Sequence, residues 1–386
     1  MKKIGISTLH TGYNYGSALQ AFATKSLLSE MGYEGEILTL KGSLVKGRDV
    51  RLIKMVSMAF RVLVSRREVS NKVNAYGASL KKEYSYTTQS NFEHFTQQYI
   101  RPHYSSWHEM KRIGKCENYV AFVCGSDQIW SGDTLYVDPQ YYLRYAPEQK
   151  RIAFAPSFGK DTVSEFNQKK IAKYISEIPQ LSVREASAVK LVEELTGREA
   201  KQLLDPTLLL TDEEWNLNLK FEKEEATEQN YVLAYFLNEP SERAKSALQH
   251  IAETENLKII ALPSNHNEAD WFDETKDAGP REFVELVKNA SFICTDSFHG
   301  TTFSIIYRKN FYTFNRNYGQ GINQSTRLTS LLSLLSLESR FDPDEAQFER
   351  EIDYQIASQM LEIERESAKE YLIRSIQIVE DKPDGR

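Results

Sequence analysis

Lys3-Ile-Gly-Ile-Ser7, then Thr11-Gly-Tyr-Asn-Tyr-Gly-Ser-Ala-Leu-Gln20, then Glu36-Ile-Leu-Thr-Leu40, decide the fold class. Lys3–Ser7 is a short apolar run of strand type, and the loop after it holds Gly12, Asn14 and Gly16. From Ser17 to Met31 the apolar residues Leu19, Phe22, Ala23, Leu27 and Leu28 recur at helical spacing, and Gly32 ends the helix. Glu36–Leu40 is the next strand. A strand, a glycine loop, a helix and a second strand open a βαβ unit. Such a unit builds a parallel sheet and receives ligands beyond the carboxyl ends of its strands.

The pattern continues outward. A polar helical stretch runs over Ser90–Tyr99. Strand runs follow at Tyr119–Cys124, ended by Gly125, and at Arg151–Ala155, ended by Pro156-Ser-Phe-Gly159. Ser164–Ile175 reads as a helix, Leu181–Val183 as a short strand, and Ala186–Thr196 as a helix stopped by Gly197. Asp205-Pro206 is a turn signal and the expected boundary between an N-terminal Rossmann-like domain, 1–205, and a second one, 206–347. In that second half, strands at Tyr231–Phe236, Lys258–Leu262, Ser291–Thr295 and Phe311–Phe314 alternate with helices at Ser241–Glu255, Pro280–Lys288 and from Thr301. The class is therefore α/β, two Rossmann-like domains with parallel sheets covered on both faces. The amphipathic region Phe348–Val379, within 348–386, is expected to pack back across the boundary.

A chain of 386 residues is too long for one ordinary core, which agrees with two domains. The net charge of −6 argues against a general nucleic-acid binder. The 21 Tyr and 19 Phe suit either sugar contact or structural half-burial. Between Lys41 and Lys82, Arg48, Arg51, Lys54, Arg61, Arg66 and Arg67 interleave with Leu52, Ile53, Met55, Val56, Met58, Phe60, Val62 and Leu63. That is a basic amphipathic helix. It fits first a helix packed on its own domain with a solvated basic face, and second peripheral contact of residues 48–67 with an anionic membrane. Cys116, Cys124 and Cys294 lack metal-ligand spacing and read as free thiols in a reducing compartment. No run approaches 18 apolar residues, and Met1–Ser7 leads straight into strand pattern, so a cytoplasmic protein is expected.

Five segments behind strand ends carry chemical groups. In the first, Asn14, Tyr15, Gly16, Ser17 and Gln20 form either a ligand loop, with helix N–H groups facing an anion, or a plain turn. Gly125-Ser-Asp-Gln-Ile-Trp130 places Ser126, Asp127 and Gln128 behind a buried strand, where they need each other or a ligand. Ser157-Phe-Gly159 alone reads as a turn. Ser182-Val-Arg184-Glu185 offers a guanidinium fork for carboxylate or phosphate, or else a surface ion pair. Thr295-Asp-Ser-Phe-His-Gly-Thr-Thr302 holds Asp296, Ser297, His299, Gly300 and Thr301 before a helix, where a histidine starts neutral. His10 is a second candidate. His94, His103, His108, His250 and His266 read as surface or interdomain residues.

In order and approximate spacing, these segments, together with Leu204-Asp-Pro-Thr-Leu208, resemble the polysaccharide pyruvyl transferase family over residues 1 to about 320. No single motif is diagnostic; the ordered set is quite specific. The resemblance implies a GT-B-like pair of domains. It also implies transfer of a pyruvyl group from phosphoenolpyruvate to a sugar of a surface polysaccharide or its lipid-linked precursor, forming a ketal. Arg184 and His299 are then the phosphoenolpyruvate-site residues. With His299 as one acid–base group, Asp127 or Asp296 is the other or orients it. No metal, and no cofactor beyond the donor substrate, is expected. Two other readings compete: a GT-B glycosyltransferase using a nucleotide sugar, and a non-catalytic subunit of polysaccharide assembly. The acceptor sugar, the ketal stereochemistry and the oligomeric state are not legible.

Overall fold

Parallel strands buried on both faces read as continuous apolar runs, and the central strands of this protein do so. The computed structural model describes residues 1–42, 44–45, 48–49, 52–64, 84–221, 230–262, 271–316, 326–344, 348 and 351–381. Of the sequence readings above, His266, Arg51 and the part of the basic segment from 65 to 83 lie outside the described residues.

The first half opens with β1 (Lys3–Ser7), α1 (Tyr15–Glu30) and β2 (Glu34–Leu40). A two-stranded turn, Leu44–Val45 against Arg48–Asp49, leads to α2 (Leu52–Val64). Then come α3 (Tyr86–Phe95), β3 (His103–Ser105), α4 (Trp107–Gly114), β4 (Tyr119–Cys124), β5 (Arg151–Ala153), α5 (Glu165–Ser176), β6 (Ser182–Val183), α6 (Ala186–Thr196) and β7 (Lys201–Gln202). Its main sheet is parallel with strand order β3-β2-β1-β4-β5. Ile4, Ile6, Ala121, Phe122 and Val123 are fully buried in the two central strands. Gly5 is required there by close approach, because a Cβ would lie 2.6 Å from the Phe122 ring.

After α7 (Asp212–Asn218), the second half runs β8 (Tyr231–Tyr235), α8 (Glu242–Thr254), β9 (Lys258–Ala261), β10 (Glu274–Thr275), α9 (Pro280–Asn289), β11 (Phe292–Thr295), α10 (Phe298–Ile306), β12 (Asn310–Thr313), α11 (Thr326–Leu334) and α12 (Tyr354–Asp381). Its sheet is also parallel, ordered β10-β9-β8-β11-β12. Both sheets therefore reverse direction beside their first strand, β1/β4 in one and β8/β11 in the other. The carboxyl ends at these reversals are where ligands bind in such folds.

Aromatic packing and the returning last helix help tie the halves together. Tyr15 of α1 stacks on Phe283 of α9 at 4.8 Å between ring centroids. Trp215 of α7, fully buried, packs between Phe22 of α1 at 5.6 Å and Phe303 of α10 at 5.0 Å, and its Nε1–H donates to the Thr207 carbonyl. The last helix then returns to the first half. Arg365 donates to the carbonyls of Leu208 and Leu210, Tyr371 to that of Ala153, and Lys2 pairs with Glu380 at 2.9 Å.

Some boundaries differ from the sequence reading. The edge strands β3 and β10 were not expected; three and two residues long, they carry too little alternation to register. The helix expected over Ser90–Tyr99 lies at Tyr86–Phe95 and ends in a π turn, Thr96–Ile100. The helix expected from Thr301 begins at Phe298 instead, because Ser297 caps it by accepting from Gly300 N. That shift puts His299 inside the first helical turn.

Trp215→Ala should destabilise the protein by about 3–5 kcal/mol, since it empties a fully buried aromatic site between the halves. Leu217→Ala, on an exposed position of the same helix, should change stability by less than about 0.5 kcal/mol. Urea denaturation midpoints measure both; equal losses would show that the interdomain packing is not what Trp215 supports.

Candidate active site

The β1 and β4 ends lie side by side, with Ser7 opposite Cys124, so their following loops start in contact. Asn14 is the N-cap of α1, its Oδ1 accepting from Ser17 N at 3.1 Å. Two residues on, Gly16 meets the second half: a Cβ there would lie 1.8 Å from Nδ1 of His299. Glycine at 16 is thus a matter of space, leaving the imidazole seated on the first turn of α1. Ser17 Oγ donates to Asp127 Oδ2 at 2.5 Å. Asp127 takes a left-handed backbone (φ 63°), which Asp tolerates better than most residues, and its Oδ1 accepts from Gln128 N. Gln20 bonds both loops, donating to Thr8 Oγ1, Leu9 O and Ser17 O while accepting from Ser126 N.

Behind these loops lies a buried charge cluster. Arg184, at the end of β6, donates through Nη1 to Asp205 Oδ2 at 2.7 Å and through Nε to Glu185 Oε1 at 3.2 Å. Its guanidinium lies 4.3 Å from the centre of the Phe298 ring, and its Nη2 has no hydrogen-bond partner. Asp205 is 1% exposed. Beyond Arg184, its carboxylate accepts from Ser126 Oγ at 2.8 Å and from Thr207 N and Oγ1. Glu185 also accepts from Ser157 Oγ, leaving Oε2 unpartnered. Arg184–Glu185 is therefore not a surface pair. Burial opposes the charge on Arg184, but Glu185, Asp205 and Asp127 outweigh it and hold the guanidinium protonated.

His299 faces this cluster from α10. Its Nε2 lies 3.9 Å from Asp205 Oδ1, is buried, and has no hydrogen-bond partner. Burial lowers its pKa, against the pull of Asp205 and Asp127, and the positive end of α10 acts in the same sense as burial. The ring is thus neutral with an available nitrogen. Burial also opposes the charge on Asp205, but His299, once protonated at the low pH where Asp205 titrates, Arg184 and the Thr207 N–H keep its carboxyl below the usual range.

The remaining predicted residues divide. Asp296 is turned to its own half: it accepts from Leu237 N at 2.7 Å and lies 3.5 Å from Arg316 Nε, so it shapes the β8 and β12 loops. Ser297 caps α10, its Oγ accepting from Gly300 N, and Thr301 bonds Thr313 across to β12. Tyr15 is buried among aromatic rings with its hydroxyl on the Ala278 carbonyl, a packing role. Gln128, with its amide turned so that the oxygen accepts, meets Arg327 of α11. His10 is buried and bonds Thr39 Oγ1 at 2.8 Å, away from the cluster. Sequence reasoning passed over Asp205, Glu185 and Arg327 as members. Asp205 caps its own short turn, which is what its Asp-Pro-Thr context signals, and only folding turns the other oxygen to Arg184.

Residues 14–318 match the family model described as polysaccharide pyruvyl transferase. The chain belongs to the polysaccharide pyruvyl transferase family. It is a transferase. No curated protein matches the sequence. Among solved structures, the UDP co-structure of MnaA from S. aureus is 10% identical, with a TM-score of 0.52 and 100% of each chain covered. The UDP-GlcNAc 2-epimerase of Methanocaldococcus jannaschii is 12% identical, with a TM-score of 0.45 and coverage of 99% and 93%. The glycosyltransferase SnogD from Streptomyces nogalater is 10% identical, with a TM-score of 0.46 and coverage of 97% and 99%. The fold of this family member is of the GT-B type.

Burial pushes the His10 pKa down to about 4 from 6.5. The unfolded chain therefore binds a proton that the folded chain refuses between about pH 6.5 and 4, and stability falls as pH drops through that window. The full shift corresponds to roughly 3 kcal/mol. Urea midpoints at pH 7 and pH 4.5 should differ less in His10→Gln than in the wild type; an unchanged difference would exclude His10 as a source.

Proposed function

We propose that this transferase moves the pyruvyl group of phosphoenolpyruvate onto two hydroxyls of a sugar in a surface polysaccharide or its lipid-linked precursor, forming a ketal. The observation that carries the reading is the pairing of a buried arginine and a buried neutral histidine, each with one unpartnered nitrogen, beside Asp205. A buried polar atom without a partner is costly, and a ligand that supplies the partner removes the cost. Phosphoenolpyruvate carries a carboxylate and a phosphate, both of which accept from a guanidinium fork.

In this reading the donor's methylene carbon gains a proton and becomes methyl. A sugar hydroxyl oxygen bonds to the adjacent carbon, and the bond from that carbon to the phosphate oxygen breaks. A second hydroxyl completes the ketal. The two hydroxyl protons end on the methyl group and on the released phosphate, so atoms and charge balance. Arg184 holds the anionic donor. His299 exchanges the proton of the attacking hydroxyl, and Asp205 and Asp127 stabilise its cationic form. Asp127 suits this better than Asp296, whose carboxylate is occupied by Leu237 N and Arg316.

The cavity lined by Arg184, Glu185, Asp205, Phe298 and Arg327 has a volume of about 20 Å³, room for little more than one water molecule.

Phosphate release from phosphoenolpyruvate, measured against a panel of sugar acceptors, tests the reading. His299→Ala and Arg184→Ala should each lower acceptor-dependent release by roughly 10²-fold or more. Wild-type rates in His299→Ala would remove the acid–base assignment. Release of UDP or GDP from nucleotide sugars, with no phosphate from phosphoenolpyruvate, would establish the glycosyltransferase reading instead.

A further inference from the structure

We propose that α2 lies in the surface of an anionic lipid bilayer and turns the carboxyl edge of the first sheet toward it. Leu52, Met55, Val56, Ala59 and Phe60 fall at helical spacing on one face of this helix. They are exposed, Leu52 by 80%, Val56 by 59% and Phe60 by 66%. A contiguous apolar stripe left in water is unusual for a globular protein and marks an interaction surface.

Charge says what covers it. Residues 41–82 hold eleven Lys and Arg against Asp49 and Glu68, a net +9 in a chain whose total is −6. Apolar residues inserted among acyl chains, with cations beside anionic headgroups, are the two contributions that hold a helix in a bilayer interface. A second copy of the chain fits less well, because an isologous contact would bring one +9 segment against another. A nucleic acid would meet the cations but leave the Leu, Val and Phe side chains without a partner. At 13 residues α2 is about 20 Å long, shorter than a hydrocarbon core, so it lies along the surface. Among the described residues no helix is long and apolar enough to cross a membrane.

The roots of the segment give the orientation. Lys41 leaves the carboxyl end of β2, its N–H bonding to the Ser105 carbonyl at the end of β3. At the other root, the Tyr84 ring packs on Tyr13 at 5.3 Å, next to Asn14, and Ser85 Oγ donates to Asp277. Both roots stand on the edge of the sheet that carries the Asn14 and Asp127 loops. On the functional reading above, a lipid-linked acceptor at the bilayer would meet the cleft from that side; the docking itself does not depend on that reading.

Co-sedimentation of the full chain with phosphatidylcholine vesicles, with and without phosphatidylglycerol, tests the proposal. Binding should be at least about tenfold tighter with the anionic lipid, and it should weaken with added salt. The double variant Val56→Ser/Phe60→Ser should bind those vesicles at least about tenfold more weakly while keeping the wild-type melting temperature. Absence of binding to anionic vesicles, or equal binding by the variant, overturns the proposal. So does a wild-type dimer in light scattering that the variant converts to monomer, or RNA binding without vesicle binding. Loss of phosphoenolpyruvate chemistry alone would leave all these results unchanged, which separates the two readings.

Discussion

Much of this structure hangs on one buried carboxylate. Asp205 sits where the chain leaves the first sheet for the second, and it receives Arg184, Ser126 and Thr207 at once. A carboxylate out of water is tolerable only when its lone pairs are filled and a cation stands beside it. Satisfying Asp205 therefore pins β6, the β4 loop and the crossover segment to one another. Breaking a buried ion pair by removing one partner costs more than never having built it, so this junction admits few substitutions. The same carboxylate faces His299 from the other half, so the joint between the halves and the candidate site share a residue.

Around that joint the two halves are matched in plan. Each sheet has the order 3-2-1-4-5 when its strands are counted from its own first strand, and each presents its reversal to the other. The facing helix starts bring glycine against imidazole, with Gly16 under His299, and aromatic rings against aromatic rings, with Tyr15 on Phe283. The returning helix α12 adds carbonyl contacts through Arg365 at the crossover turn. Polar groups left without partners, Arg184 Nη2, Glu185 Oε2 and His299 Nε2, gather within this joint.

Reading in one dimension succeeded wherever the signal was local. Tyr119–Cys124 and Ala186–Thr196 were legible residue for residue, since a six-residue apolar run and a Gly197 stop each carry their own evidence. His299 near a helix start behind a strand was legible for the same reason, whereas Asn14 reads as a loop residue before a helix at Ser17, and only the structure makes it the cap of a helix that begins at Tyr15. The two-residue strand β10 was not, and the start of α10 was misplaced by three residues because Phe-His-Gly is no helix signal until Ser297 caps it. Asp296 was read as a partner for His299 on nearness in sequence alone. Its carboxylate turns instead to Leu237 N and Arg316, contacts made by residues some sixty before it and twenty after it.

By itself the sequence determined the α/β class, the alternation that makes both sheets parallel, and the strand ends where polar residues collect. Those follow from periodicity and backbone preference, which act over a few residues. Only the tertiary structure decided which of those residues meet. It joined Arg184 to Asp205 across twenty-one positions, set His299 on Gly16 across the two halves, and removed Asp296 and Tyr15 from the cluster to supporting roles. The physical reason is that burial, and with it the need of every charge and N–H for a partner, is a property of the packed joint between the sheets, which no single segment contains.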